Sequence, residues 1–311
     1  MEYKNFAELI EKVQNMDHMK RVAVVAAQDE HTLQAVFLAR RNNIAEPILI
    51  GNRAEILEVL KALGEKMDES MIIEAEDDAA SARKAVELIH EGKADFIMKG
   101  RIQTADLLRA VVDKEKGLRT GSVMSHLVLH ELPGYHKLLA VTDGGMMMYP
   151  DLEQKKGILM NAVDAYHAMG VEEPKVAVLA AVEVVNPKMP ESVDAGKLKE
   201  MNLSGEIDGC IVEGPISFDL CMSRESAKIK GYHSPVVGDA DIMIVPDIAA
   251  GNILGKALVY AAGARMAGFI VGAKVPIVMT SRGSTADEKY LSLVLSAAAA
   301  KTDTTTMEVE I

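Results

Sequence analysis

Tryptophan is absent from the 311 residues, and five phenylalanines and seven tyrosines are the only other large aromatics. So few rings leave little surface on which nucleobases could stack. Positive charge is also in deficit. Lys and Arg number 34 against 46 Asp and Glu, a formal net charge of −12, which argues against a nucleic-acid partner or an anionic membrane surface. An anion held by such a chain needs a local cluster of arginines and backbone amides. The two cysteines, Cys210 and Cys221, make neither a disulfide framework nor a zinc site and are expected to be reduced and buried in a cytoplasmic protein. No apolar run reaches the roughly 18 residues of a membrane span. The opening MEYKNFAELIEKVQNMDHMKR is amphipathic and charged, with no signal-peptide core. HExxH, EF-hand and GxSxG patterns are missing too. His126 and His130 would share one face of a strand, but no acidic residues accompany them as a metal site would require.

What is present is globular and patterned. Hydrophobic residues make up 49% of the chain and charged ones 26%, and the length suits two domains. The 19 methionines read as adaptable core filler. Short β-rich runs (21–27, 46–52, 70–75, 94–100) alternate with helical patterns (29–43, 54–66, 78–92), the signature of βαβ units and a parallel sheet. The rhythm breaks at 121–132 and 136–145, two runs joined by Pro133-Gly134-Tyr135, which predicts an antiparallel pair. A domain boundary therefore falls near Gly121. Alternation then resumes, and 240–272 reads as a strand, a loop and a long apolar helix. A closing strand and helix return to the first domain. The expected division is domain I, a parallel α/β unit over 1–121 and 270–311, and domain II, an α/β unit over 122–269.

Four segments combine strand ends with residues able to hold an anion. In KVPIVMTSRGSTADEKY (274–290) an apolar strand delivers Ser281, Arg282, Gly283 and Ser284 to a helix start that carries Asp287 and Glu288. Free amides and the positive dipole end of the helix suit an anion there, and Arg282 can grip a phosphate with two parallel hydrogen bonds. Ser281, Ser284 or Thr285 could equally serve as the helix cap. In IMKGRIQTADLLRAVV (97–112) Lys99, Gly100 and Arg101 end a strand, Thr104 and Asp106 open a helix, and Arg109 sits in its first turns. In VPDIAAGNILGKAL (245–258) Asp247 ends a strand, and Gly251, Asn252 and Lys256 follow on a glycine-bearing turn and helix. In LAVTDGGMMMYPD (139–151) Asp143 precedes Gly144-Gly145 and reads equally well as a ligand or as a turn aspartate.

Taken together, these segments resemble the phosphate acetyl/butyryl transferases over nearly the whole chain. FIMKGRIQTADLLRAVVDKEKGLRTGSVMSHL, VPDIAAGNILGKAL and TSRGSTADEK are most similar to the butyryl branch. The resemblance implies an isocitrate/isopropylmalate dehydrogenase-like fold: two α/β domains with a cleft between them, in a homodimer or larger homo-oligomer. It implies the reaction acyl-CoA + phosphate ⇌ acyl phosphate + CoA, with butyryl-CoA the first choice of substrate and acetyl-CoA the second. Coenzyme A is then a substrate, no cofactor is tightly bound, and no metal takes part. Ser281, Arg282 and Arg109 would lie at the acyl-phosphate site. Glu288, or Asp287 beside it, would be the base that takes the CoA thiol proton. Lys99, Gly100, Arg101, Thr104, Asp143, Asp247, Gly251, Asn252, Lys256, Gly283 and Ser284 complete the expected substrate-binding set. A nicotinamide-dependent dehydrogenase or decarboxylase on the same scaffold would need a metal held by aspartates or a histidine set, and no such cluster is visible. A non-catalytic acyl-CoA or acyl-phosphate binder is the remaining alternative.

Overall fold

The structure is a computed structural model that describes residues 2–281 and 283–301. Two compact units divide the chain: a first unit of Ala7–Gly121 with Ala267–Ile311, and a second of Met1–Phe6 with Ser122–Met266. In chain order the elements begin with α1 (Phe6–Gln14), β1 (Lys20–Val25), α2 (Glu30–Arg41), β2 (Ala45–Gly51), α3 (Arg53–Leu63), β3 (Ile72–Glu74), α4 (Asp78–His90), β4 (Phe96–Lys99) and α5 (Thr104–Val111). The second unit follows with β5 (Ser125–Glu131), β6 (Leu139–Thr142), α6 (Leu152–Ala168), β7 (Lys175–Leu179), α7 (Pro190–Leu203), β8 (Ile211–Ile216), α8 (Phe218–Met222), α9 (Arg224–Lys230), β9 (Ile242–Ile244) and α10 (Ile248–Tyr260). The chain closes with β10 (Arg265–Val271), β11 (Ile277–Val278) and α11 (Ala286–Ala299).

In the first unit the strands run in the order β3-β2-β1-β4-β11-β10. Strand β1 pairs in parallel with β2 on one side and β4 on the other. The chain thus leaves β1 in one direction and returns on its opposite flank, which opens a crevice at the carboxyl ends of β1 and β4. Phe96, Ile97 and Met98 are wholly buried, as a strand covered on both faces must be. Helix α11 is buried nearly all round, from Lys289 to Ala299, and packs on α2, β11, β4 and β2. The sheet of this unit is mixed rather than wholly parallel, because β10 pairs antiparallel with β11. Only five residues, 272–276, connect β10 to β11, too few for the crossover that parallel neighbours need.

In the second unit the order is β5-β6-β9-β7-β8. The pair β5–β6 is antiparallel, as its Pro-Gly turn predicts, and the remaining pairs are parallel. Leu139, Val141, Met243, Val245 and Leu258 join one buried cluster, which sets α10 against the sheet face. The apolar run after α10 is not one long helix. It ends at Tyr260, Gly263 turns with φ +72°, and 265–271 is the strand β10. Helices α8 and α9 are short additions that the apolar pattern does not announce.

Candidate active site

The carboxyl edge of the first sheet collects two of the four segments. Strand β4 ends at Lys99, and Gly100 and Arg101 then lie against the end of β1. The Gly100 amide donates to the Val25 carbonyl at 2.8 Å and the Arg101 amide to that of Ala26 at 2.9 Å. A Cβ on Gly100 would stand 2.4 Å from the Ala26 oxygen and 2.7 Å from the Val25 oxygen, so close backbone approach is what the glycine provides. Ala26 itself sits in the left-handed region at φ +52°, a conformation nothing in its sequence context announces. Lys99 is half-buried, with its ammonium 3.2 Å from the Gly100 carbonyl. Arg101 is exposed and pairs with Glu55 at 3.5 Å.

Strand β11 is the parallel neighbour of β4, with Val278 opposite Met98. Carried past the strand end, that register sets Met279 and Thr280 level with Lys99 and Gly100, and Ser281 follows at the level of Arg101. Thr285 caps α11, its hydroxyl accepting the Glu288 amide at 3.1 Å. The Glu288 side chain is also engaged by Ser284. Its Oε1 accepts a 2.6 Å hydrogen bond from the Ser284 hydroxyl, and Ser284 Oγ lies 3.2 Å from Ser281 Oγ. Glu288 is half-buried, and burial pushes its carboxyl above the ordinary range, opposed by the Ser284 hydrogen bond, by Lys289 and by the cap amide. Asp287 is the more exposed of the two neighbouring acids. Ser281 and Gly283 are exposed, and Gly283 has open space around its Cα. Arg282 lies outside the described residues.

On α5, Thr104 and Arg109 are exposed, and Arg109 pairs with Asp106 of its own helix at 2.8 Å. Among the described residues no hydrogen bond or ion pair joins Arg109 to the 281–288 segment.

The other two segments meet on the second unit. Strands β6 and β9 are parallel neighbours, with Thr142 opposite Ile244, so Asp143 and Asp247 emerge at one edge. The Asp143 carboxylate is buried and accepts three backbone N–H bonds, from Gly145, Met146 and Met147 at 2.8–2.9 Å. Asp247 caps α10 by accepting from the Ala250 amide. Both aspartates are thus occupied in shaping the loops. Gly144 and Gly251 touch backbone to backbone, where a Cβ on Gly251 would stand 2.7 Å from the Gly144 Cα. Asn252 and Lys256 are the residues of this group that face solvent. Sequence spacing does not show that the Asp143 and Asp247 loops adjoin, and the strand order does.

Cys210 and Cys221 are buried, and burial raises their thiols to about 11 and about 12. Neither is a ready nucleophile at neutral pH. Among the described residues no group of three or more His, Cys, Asp or Glu is arranged to hold a metal, and no helix is long and apolar enough to cross a membrane.

Known proteins share this layout. Residues 78–297 match the family described as "Phosphate acetyl/butaryl transferase". A phosphate butyryltransferase of Clostridium acetobutylicum is 43% identical over 294 residues, 94% of this chain and 97% of the relative. A phosphate acetyltransferase of Thermotoga maritima is 45% identical over 278 residues, 89% of this chain and 94% of the relative. The crystal structure of a branched-chain phosphotransacylase from Enterococcus faecalis superposes with a TM-score of 0.80 at 33% identity, covering 91% of this chain and 99% of that one. A 4-hydroxythreonine-4-phosphate dehydrogenase from Burkholderia phymatum, at 14% identity and a TM-score of 0.57 over 92% of this chain and 100% of its own, shares the fold alone. The fold is accordingly an α/β fold carrying a mixed sheet, similar to that of these phosphotransacylase and 4-hydroxythreonine-4-phosphate dehydrogenase structures. A match of this extent to the family, together with relatives of that identity aligned nearly end to end, makes this chain a member of the phosphate acetyl/butyryl transferase family and a phosphate acyltransferase.

Proposed function

We propose that this enzyme interconverts a short-chain acyl-CoA and phosphate with the acyl phosphate and CoA, butyryl-CoA foremost, by direct transfer in a ternary complex. Glu288, rather than Asp287, is the base. The observation that carries the reading is the half-buried Glu288 carboxylate, hydrogen-bonded through Ser284 toward Ser281 at the end of β11. A thiol with a pKa of roughly 8.5 is only a few per cent ionised at pH 7. Burial makes the Glu288 carboxylate more basic, which suits it to take the thiol proton. In the direction of acyl-CoA synthesis the CoA sulfur attacks the acyl carbonyl as its proton passes to Glu288. The carbonyl oxygen takes negative charge, the C–O bond to the phosphoryl group then breaks, and phosphate departs. Ser281 donates a hydrogen bond to the developing oxyanion, and Arg282 and Arg109 carry the phosphoryl charge. Lys99, Gly100, Arg101 and Thr104 bind substrate at the neighbouring strand end. With both thiols of the protein buried and poorly ionised, no covalent acyl-enzyme is needed.

The test uses acyl-CoAs of two to five carbons with phosphate, following free thiol colorimetrically. Phosphate-dependent thiol release is expected, with kcat/KM highest for butyryl-CoA. One methylene more or fewer changes it by about 10-fold or more. Varying both substrates should give intersecting double-reciprocal lines, whereas a covalent intermediate gives parallel ones. A preference for acetyl-CoA would reassign the acyl chain to the second choice.

A further inference from the structure

We propose that Ser284 is a positioning residue of the transferase reaction, holding the Glu288 carboxylate and joining it to Ser281. The proposal rests on the reading of Glu288 as the base and deepens it. Three geometric facts carry it. The Ser284 hydroxyl donates to Glu288 Oε1 at 2.6 Å, a length typical of a bond to an ionised oxygen. Its oxygen is also 3.2 Å from Ser281 Oγ, and its amide donates to the Ser281 carbonyl at 3.1 Å. Ser284 therefore fixes the distance from an exposed hydroxyl at the strand end to a half-buried carboxylate one helical turn inside α11. The helix cap does not need this hydroxyl, because Thr285 supplies the cap. The serine is thus free of the structural duty that its place beside a helix start suggests.

A hydrogen bond to the ionised form favours it, and here it opposes the burial that raises the carboxyl. The charged group that bears on Glu288 among the described residues is Lys289, its neighbour in α11. No charged group of α2, β2, β4 or β11, the elements packed on α11, contributes to the shift. Removing the Ser284 hydroxyl leaves burial less opposed, so Glu288 holds its proton to higher pH and is less often available as a base.

The experiment is the pH dependence of kcat/KM for thioester formation from butyryl phosphate and CoA. It compares the unaltered enzyme with Ser284→Ala, Ser284→Thr and Glu288→Gln. The CoA thiol titrates alike in all four, so differences belong to the protein. Expected for Ser284→Ala is an acid limb displaced to higher pH, with about tenfold less activity on that limb and a plateau at alkaline pH within a few fold of the original. Ser284→Thr, which keeps the hydroxyl, should restore the limb. A uniform loss at every pH, or no rescue by threonine, would overturn the positioning role. If Glu288→Gln keeps full activity, the base assignment itself fails. If Glu288→Gln is impaired while Ser284→Ala leaves the profile in place, the base stands and the role of Ser284 falls.

Discussion

At the scale of single residues, the second unit holds a histidine whose surroundings give it a measurable pH signature. His130 is 1% exposed, and neither ring nitrogen has a hydrogen-bond partner among the described residues. The neighbouring backbone of Leu139 and Val128 favours the charged ring and only partly offsets burial. His126 lies on the same strand face and disfavours a second positive charge, and a Cβ on Gly255 of α10 would stand 3.8 Å from His130 Nε2. Burial holds the His130 imidazole down to about 4. In the unfolded chain a histidine titrates near 6.5. Between those values the unfolded chain binds a proton that the folded protein refuses, so stability is lost as pH falls from about 6.5 toward 4, at about 1.4 kcal/mol per pH unit. His126 adds a loss of the same sign, because burial lowers it too. His130→Leu should leave urea-unfolding stability at pH 7.5 unchanged or raised, since it removes two unpaired buried nitrogens. It should also flatten the acid slope by one proton. A variant that unfolds readily at pH 7.5 would mean that the ring has a polar partner that this geometry does not reveal.

At the scale of elements, two glycines at neighbouring strand ends look alike in sequence and differ in structure. Gly100 is pressed on the carbonyls of Val25 and Ala26, which are backbone atoms and cannot swing aside. Gly100→Ala should cost about 1–3 kcal/mol by thermal or urea unfolding and distort the strand end that carries Lys99 and Arg101. A Cβ on Gly283 would meet, among the described residues beyond its chain neighbours, nothing nearer than the Ser281 hydroxyl at 4.0 Å. Gly283→Ala should therefore stay within about 0.5 kcal/mol of the unaltered protein. Equal losses from both would contradict the packing described at β1 and β4. The same contrast shows where the sequence is legible. The β-rich runs and helix starts of the first unit follow from alternation and capping residues, because those signals are local. Strand β10 is not legible, because 257–268 is rich in alanine and reads as a continuation of α10 until Gly263 breaks it. The strand ends with lysine, arginine and serine are readable as candidate anion sites. That Ser284 serves Glu288, or that Asp143 and Asp247 spend their carboxylates on backbone amides, depends on side-chain direction, which spacing leaves open. The adjacency of Gly144 and Gly251 likewise depends on strand order, set by contacts far apart in the chain.

At the scale of the whole molecule, the two units are assembled from very different stretches of chain, and this sets an order of folding. The second unit is continuous over 122–266 apart from residues 2–6. The first unit is split. Its strand β11 sits between β4 and β10, and α11 packs on α2, so its core cannot close until residues from the end of the chain arrive. The hydrogen bond from Asn42 to the Tyr290 hydroxyl spans 248 positions. Such closures carry a larger entropic cost than local ones, and folding slows as contacts become less local. The second unit also contains long-range pairs, with Ala140 opposite Ile242 at its centre, but these span fewer positions than Ile97 opposite Ile277 in the first unit. In pulsed hydrogen-exchange labelling during refolding, amides of β6, β7 and β9 should gain protection before those of β4 and β11. A chain ending at Met266 should keep protected amides in the second unit while the first remains open to exchange, because it lacks β11 and α11. Simultaneous protection of β4 and β9, or earlier protection of β4, would show that the first unit closes without its final helix, contrary to the dependence inferred from its packing.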